Sequence, residues 1–322
     1  MYFLKHLSVI IPTYNRSEDL KETLLSFKEN WAELNEILII DQSKDNKTSI
    51  LIDSLKNKKI KCIRAKIPSL TKARNLGVEK VSKETKLICF LDDDVTLDKA
   101  YFENILDVFN KNNLTKGVSG YFLPRELKKV NLFENVIKRI FRIECFEENK
   151  MRVLSAYGAT YPHTLTKIID TQWLSGFNMV FKKEICKEFY FDEKLTRYAL
   201  GEDFDFTYRI NKKYPGSLIL TPKAKLVHRA SLAERMPTEK LAYMNQINHF
   251  YFNYKNFNSN IKEKTIFIWC LTGITILRAL LILKKRRIVE WLKLKLFIKS
   301  LIYTIRNLAE IRRGNLVPLY KN

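Results

Sequence analysis

Lys86-Leu87-Ile88-Cys89-Phe90-Leu91-Asp92-Asp93-Asp94 is the stretch on which the reading of this chain turns. Lys86–Leu91 is a short apolar run of β-strand length, and it leads directly into three aspartates. Adjacent carboxylates repel one another and raise each other's pKa unless they share a cation. A divalent ion held by one or two carboxylates and by a substrate's phosphates is the usual arrangement for Mg²⁺. A diphosphate leaving group needs such an ion, because negative charge builds on its oxygens as the bond breaks. The plainer reading is a solvated acidic loop ahead of a helix near Asp98. The triplet alone does not choose between the two.

On either side of this strand, apolar β-rich runs alternate with helical patterns. Leu7–Ile11, Glu36–Ile40 and Ile60–Ala65 read as strands; Glu18–Glu29, Leu70–Ser82 and Asp98–Asn110 read as helices, the first capped by Ser17. Strands alternating with helices predict an α/β domain, a mostly parallel, doubly wound sheet with helices on both faces. Ligands in such sheets bind beyond the carboxyl ends of the strands, where Pro12–Asn15, Asp41 and Asp92–Asp94 all fall. Residues 124–170 have weak periodicity and read as an insertion. Order resumes at Gln172–Phe181 and Phe191–Asn211, and Ser217–Thr221 and Lys225–His228 are short strand candidates.

The chain has 322 residues and a formal net charge of +22, which implies an anionic partner without naming it. Its five cysteines are widely spaced with no C-x-x-C pair. This indicates neither a disulfide framework nor a zinc cluster, and fits a reducing compartment. The N-terminal apolar run is too short for a secretory segment and meets Pro12, so a cytoplasmic protein is expected.

The order of the motifs resembles the family 2 glycosyltransferases with the GT-A (Rossmann-like) fold. Ser8-Val9-Ile10-Ile11-Pro12-Thr13-Tyr14-Asn15-Arg16 is similar to that family's first strand and nucleotide loop, and Asp41 to its second-strand aspartate. Ala73-Arg74-Asn75-Leu76-Gly77 resembles its A-R-N-x-G segment, and Phe90–Val95 its D-x-D strand. Phe191-Asp192-Glu193 and Gly201-Glu202-Asp203-Phe204-Asp205 resemble its F-D-E and E-D-x-D pattern. The resemblance covers residues 6–230 in order. It implies a metal-dependent, inverting enzyme that moves a sugar from a nucleotide-sugar donor, UDP- or dTDP-linked, to a hydroxyl of a lipid-linked saccharide in cell-surface polysaccharide synthesis.

The resemblance also implies roles. Pro12, Thr13, Asn15, Asp41, Arg74, Asp92 and Asp93 line the nucleotide-sugar pocket, Asp41 accepting from a uracil or thymine imide. Asp94, Asp92 and His228 are the candidates for Mg²⁺ or Mn²⁺, with Asp94 the direct ligand. Inversion requires a base on the face opposite the leaving diphosphate; Asp203 takes that part and Glu202 orients the acceptor. Trp173, Gly176 and Asn178 fall on the acceptor side, although Trp173 reads equally well as a core side chain and His228 as a structural one. As a plain helix N-terminus, Glu202 and Asp203 would also be favoured by the helix dipole.

Composition changes after residue 235, dividing the chain into a 1–235 catalytic domain and a helical, basic and apolar region over 236–322. At about 19 residues, Thr265–Leu283 is just long enough to span a bilayer, but it contains Arg278. From Ile261 to Asn322 there are 14 Lys and Arg against 3 Asp and Glu, net +11. The mixture over Ile288–Arg313 reads as an interfacial segment on an anionic membrane surface, with Thr265–Leu283 re-entrant and the enzyme on the cytoplasmic face. A buried helical hairpin is the alternative. Two other classes fit less well. A nucleic-acid binder should interleave its charge with stacking aromatics or a reader motif, and here the charge sits beside the most apolar segment, so no nucleic-acid partner is expected. A nucleotidyltransferase usually carries a Gly-rich loop after its first strand, and Pro12–Arg16 contains no glycine.

Overall fold

The computed structural model describes residues 1–122, 131–231, 233, 236–257 and 261–321. The strands are β1 (Leu7–Thr13), β2 (Glu36–Asp41), β3 (Ile60–Arg64), β4 (Leu87–Leu91), β5 (Val95–Leu97), β6 (Gly117–Phe122), β7 (Cys145–Glu147), β8 (Val153–Ser155), β9 (Gly158–Pro162), β10 (Ile169–Thr171), β11 (Asn178–Lys182) and β12 (Leu218–His228). The helices are α1 (Ser17–Ser26), α2 (Lys47–Ser54), α3 (Leu70–Lys80), α4 (Tyr101–Lys111), α5 (Leu132–Ile140), α6 (Lys183–Glu188), α7 (Glu202–Lys213), α8 (Thr238–Phe257), α9 (Ile261–Lys285), α10 (Ile288–Arg306) and α11 (Leu308–Arg313). The chain forms two compact units, residues 1–127 with 165–235, and residues 128–164 with 236–322. The insertion read from the sequence thus clusters largely with the C-terminal helices.

In the first unit a sheet runs in the order β10-β12-β6-β11-β4-β1-β2-β3, with β5 paired to β12. β3, β2, β1 and β4 are parallel neighbours, as are β6 and β12; β11 enters antiparallel between β4 and β6. β1, β2 and β4 are mostly apolar and buried throughout because both faces are covered, whereas the edge strand β3 is only partly buried. Val9, Ile11, Cys89 and Leu91 face Leu20 and Leu24 of α1 and Tyr101, Phe102, Ile105 and Phe109 of α4. Ile10, Leu38, Ile40 and Phe90 face Ala73 and Val78 of α3, Ile185 of α6, and Phe206 and Ile210 of α7. Each such side chain contributes about 1.5–3 kcal/mol when fully buried. Gly77 sets how closely α3 approaches β1: a Cβ there would lie 2.5 Å from Ile10 Cγ2.

Several boundaries differ from those expected. β1 continues through Pro12 to Thr13; its pairing with β4 stops at Ile10, so the missing proline N–H falls beyond that ladder. Ser17 is the first residue of α1 rather than its cap, and Arg16, at the cap position, makes no side-chain capping bond. The two short strands expected around Pro222 are one strand, β12, with a register shift between Thr221 and Lys225 that absorbs the proline.

In the second unit α8 supplies Met244, Ile247, Phe250 and Tyr251 to a core that includes Phe267, Cys270 and Leu277 of α9. His249 stacks on Tyr157 (centroids 4.2 Å apart), with Nδ1 2.7 Å from the Ala156 carbonyl oxygen. Burial pushes this histidine's pKa down to about 4, so it is neutral at physiological pH. α9 has a mean hydropathy of 2.3 over its most apolar window, and 28% of that window is buried. Much of its apolar surface is therefore exposed.

Candidate active site

The carboxyl ends of β1 and β2 are tied by local polar bonds. Asn15 has φ +53°, a conformation that asparagine tolerates better than most residues. Its N–H donates to Ser43 Oγ at 2.8 Å, and its side-chain oxygen accepts from the Lys44 N–H at 2.9 Å. Asp41 is fully buried. Its carboxylate accepts from the Ser43 N–H at 2.9 Å and from Arg64 Nη1 at 2.5 Å.

Beyond β4 the three aspartates diverge. Asp93 is buried; Thr13 Oγ1 and Arg16 Nη1 each donate to it at 2.7 Å. Burial pushes its pKa up to about 7, against the pull of Arg16 and Thr13. Asp94 accepts from Arg16 Nη2 at 2.8 Å and from the Ser231 N–H at 3.0 Å, and its Oδ1 lies 3.1 Å from His228 Nε2. Burial acts to raise the Asp94 pKa, but His228 and Arg16 outweigh it and hold the carboxyl below its ordinary range. Pairing of Val95 with His228 across β5 and β12 brings the histidine here, and its ring stacks on Phe177 with centroids 4.6 Å apart. Asp92, Asp94 and His228 offer ligand atoms that all lie within 4.8 Å of one another. Two carboxylate oxygens and one imidazole fit a divalent ion, Mn²⁺ better than the oxygen-seeking Mg²⁺.

Arg74 joins this cluster to α7. It has no exposed surface, and its fork donates to Glu202 Oε1 at 2.7 Å, to the Gly176 carbonyl at 2.9 Å and to Asp92 Oδ1 at 3.1 Å. The guanidinium also lies over the Phe191 ring, 5.2 Å from its centroid. The Gly176 N–H donates to Asp203 Oδ2 at 2.7 Å, and the Phe204 N–H to Asp203 Oδ1 at 2.7 Å. One peptide residue, Gly176, therefore touches the arginine that holds Asp92 and the carboxylate of Asp203. α7 begins at Glu202 behind Gly201 at φ +82°, a left-handed position suited to glycine. Burial and the neighbouring Asp203 push Glu202 up to about 8, opposed by Arg74; burial also raises Asp203.

Residues 8–188, more than half of the chain, match the family described as Glycosyl transferase family 2. The chain belongs to that family. It is 30% identical over 108 residues to the minor teichoic acid biosynthesis protein GgaA of Bacillus subtilis, covering 32% of this chain and 24% of that one. It is 33% identical over 147 residues to the uncharacterized glycosyltransferase RC0461 of Rickettsia conorii, covering 44% and 23%. The matches thus span about a quarter of each relative's own length. Among solved structures, the chain is similar in fold to GalNAc-T7 with UDP, GalNAc and Mn²⁺ (TM-score 0.54, 17% identity, 77% of this chain and 49% of that one). It is also similar to the mannosyltransferase PcManGT of Pyrobaculum calidifontis with GDP-Man and Mn²⁺ (0.53, 14%, 98% and 81%), and to residues 1–349 of S. aureus TarS with UDP-GlcNAc (0.52, 14%, 98% and 89%).

Within this family 2 chain the polar contacts form two groups, Thr13, Asp93, Arg16, Asp94 and His228 in one, and Asp92, Arg74, Glu202, Gly176 and Asp203 in the other, which approach one another where Asp92, Asp94 and His228 offer atoms within 4.8 Å. Two residues expected on the acceptor side are buried. Asn178 has a side-chain oxygen that accepts from Ser119 Oγ (2.7 Å), the Gly120 N–H (2.7 Å) and Tyr101 Oη (3.2 Å). It stitches β11 to β6 and α4. Trp173 is 3% exposed and packs edge-on to Phe204. Pro12 is buried within β1. Two cations were missed. Arg16 sits inside the quoted opening motif yet received no role. Arg229 donates to the Val95 and Asp19 carbonyls and to Thr23 Oγ1 at 2.7–3.0 Å, bracing the aspartate turn; only its position after His228 marked it.

Proposed function

We propose that this enzyme moves a sugar, with inversion at the anomeric carbon, from a UDP- or dTDP-linked donor to a hydroxyl of a lipid-linked saccharide at the cytoplasmic face of a membrane. The observation that carries the reading is the meeting at Gly176: Arg74 reaches Asp92 on one side, and Asp203 is held on the other. A bound Mn²⁺ or Mg²⁺ would supply charge stabilisation to the departing diphosphate, with Asp92, Asp94 and His228 holding it. Arg16 keeps the two inner carboxylates in place, and Arg74 fixes Asp92 and Glu202 against one another. Asp203, with its pKa raised by burial, is suited to take the proton of the incoming hydroxyl. Glu202, tied to Arg74, orients the acceptor.

The name of one relative supports the acceptor class, GgaA being a teichoic acid biosynthesis protein, and the TarS structure with UDP-GlcNAc supports a UDP-linked donor. The exposed apolar residues of α9 and the net +11 over 261–322 support a membrane location. The test is Asp203→Asn, with nucleotide binding in Mn²⁺ read by calorimetry and transfer read separately. Transfer is expected to vanish with nucleotide affinity nearly unchanged. An equal loss of both would show that Asp203 serves the donor and not the acceptor hydroxyl.

A further inference from the structure

The second unit carries an amphipathic helix that the sequence reading did not find. α5 has no buried residue. Leu132, Phe133, Val136 and Ile140 line one side of it at helical spacing and are 78%, 59%, 55% and 57% exposed. Glu134, Lys138 and Arg139 occupy the rest of the surface. A soluble helix of this pattern buries its apolar stripe against a core; here the stripe faces outward.

α5 is not detached. It packs on α9 through Phe141, which meets Trp269 at 4.6 Å between centroids, and the Trp269 indole N–H donates to the Ile140 carbonyl at 2.9 Å. At the other end Lys284 Nζ lies 3.8 Å from Glu134. Between the two helices is a groove of about 320 Å³ lined by Phe133, Leu277, Leu280, Leu281 and Leu283 together with the paired Glu134 and Lys284. α9 adds exposed Ile268, Trp269, Ile276 and Leu283, and α10 adds exposed Trp291, Leu292, Ile298, Ile302 and Ile305 interleaved with Lys295, Lys299 and Arg306. Aliphatic side chains with lysines and arginines among them suit the headgroup boundary, where the stems lie along acyl chains and the charges meet phosphate.

We propose that α5 is a lipid-docking helix, inserting Leu132, Phe133, Val136 and Ile140 into the surface of an anionic bilayer beside α9. This rests on the membrane location proposed above and deepens it. That location was argued from the C-terminal segment alone. The inserted helix adds a second anchor from a distant part of the chain, and the groove beside it accommodates part of an acyl chain.

The experiment is cosedimentation of the full chain with vesicles of phosphatidylcholine mixed with phosphatidylglycerol, and with phosphatidylcholine alone. Two variants are compared, Phe133→Asp/Val136→Asp and the uncharged Phe133→Ser/Val136→Ser, with unchanged nucleotide binding in Mn²⁺ as the check on folding. The wild type is expected to prefer the anionic vesicles, and both variants to lose at least tenfold in partitioning. Wild-type binding that both variants retain in full would overturn the role of α5 and leave the location standing on α9 and α10. A wild type that binds neither vesicle would overturn the location and this inference together. Self-association that the serine variant abolishes while vesicle binding persists would assign the face to a second copy and refute the lipid role.

Discussion

Arg74→Met tests whether one buried guanidinium holds the two halves of the catalytic cluster together. The side chain has no exposed surface and donates to Glu202 at 2.7 Å, the Gly176 carbonyl at 2.9 Å and Asp92 at 3.1 Å. Methionine keeps much of the aliphatic stem and removes the charge. Breaking a buried ion pair on one side costs about 3–5 kcal/mol, because the other charge is left uncompensated. The Glu202 pKa stands at about 8 with Arg74 beside it, so the carboxyl already carries a proton near neutral pH and the ion pair is complete only above about pH 8. At about pH 9 the lower end, about 3 kcal/mol, is therefore expected. At about 2–4 °C per kcal/mol for a unit of this size, the melting temperature falls by roughly 6–12 °C. Arg74→Met/Glu202→Leu removes both charges, and replacing a buried pair by apolar side chains is often neutral or stabilising. The double variant should recover most of the lost stability in a thermal melt while remaining unable to transfer sugar. A double variant no more stable than Arg74→Met would refute the reasoning, since the destabilisation would not then come from a stranded Glu202.

Glu202 itself predicts a pH dependence. Its folded pKa of about 8 lies above the ordinary 4.5, so its contribution to stability is fully present below the ordinary value and is lost as pH rises through about 8. The wild-type melting temperature should therefore fall more steeply between about pH 5 and 8 than that of Glu202→Gln; parallel slopes would count against the buried carboxyl. Asn178→Ala strips the acceptor from the Gly120 N–H and Tyr101 Oη, while Ser119 Oγ keeps the residue 178 backbone carbonyl, and each stranded buried donor costs about 1–3 kcal/mol. Stability should drop with nucleotide affinity unchanged in the folded protein; the reverse pattern would return Asn178 to the substrate side. His228→Ala should weaken Mn²⁺ binding at least as much as the ~10–100-fold typical of a lost supporting residue, read by paramagnetic resonance titration. Unchanged affinity would remove His228 from the ligand set.

What could be read from the sequence was local. The parallel strands announce themselves because both faces are buried, leaving unbroken runs such as Leu7–Ile11 and Leu87–Leu91. The acids at their ends were legible for the same reason: a charged triplet closing an apolar strand is conspicuous. The antiparallel entry of β11 between β4 and β6 was not legible, because nothing local states that a strand will pair against the direction of its neighbours. The partners of the acids were equally hidden. His228 reaches Asp94 only through the pairing of β12 with β5, and Arg64 reaches Asp41 only because β3 lies beside β2. The burial of Asn178 and Trp173 was hidden in the same way. Polar and aromatic side chains near a site look like ligand contacts in a sequence, and their packing partners lie far along the chain. α5 escaped because its strip of apolar residues is short and lies in a stretch of otherwise weak periodicity.

The net charge of +22 posed a question that the fold allows to be divided. The cations of the catalytic cluster are matched where they stand: Arg16 with Asp93 and Asp94, Arg74 with Asp92 and Glu202, Arg64 with Asp41, and Arg229 with Glu22 at 3.2 Å. That arrangement contributes little surplus charge. The surplus lies elsewhere, and residues 261–322 alone carry net +11. There it accompanies a mostly aliphatic exposed surface of isoleucine and leucine, with Trp269 and Trp291 the large exposed aromatics. Aliphatic surface beside phosphate-seeking cations has a use where hydrocarbon and phosphate lie within one side-chain length of each other. The headgroup layer of an anionic membrane meets that condition, and a nucleic-acid backbone in water does not.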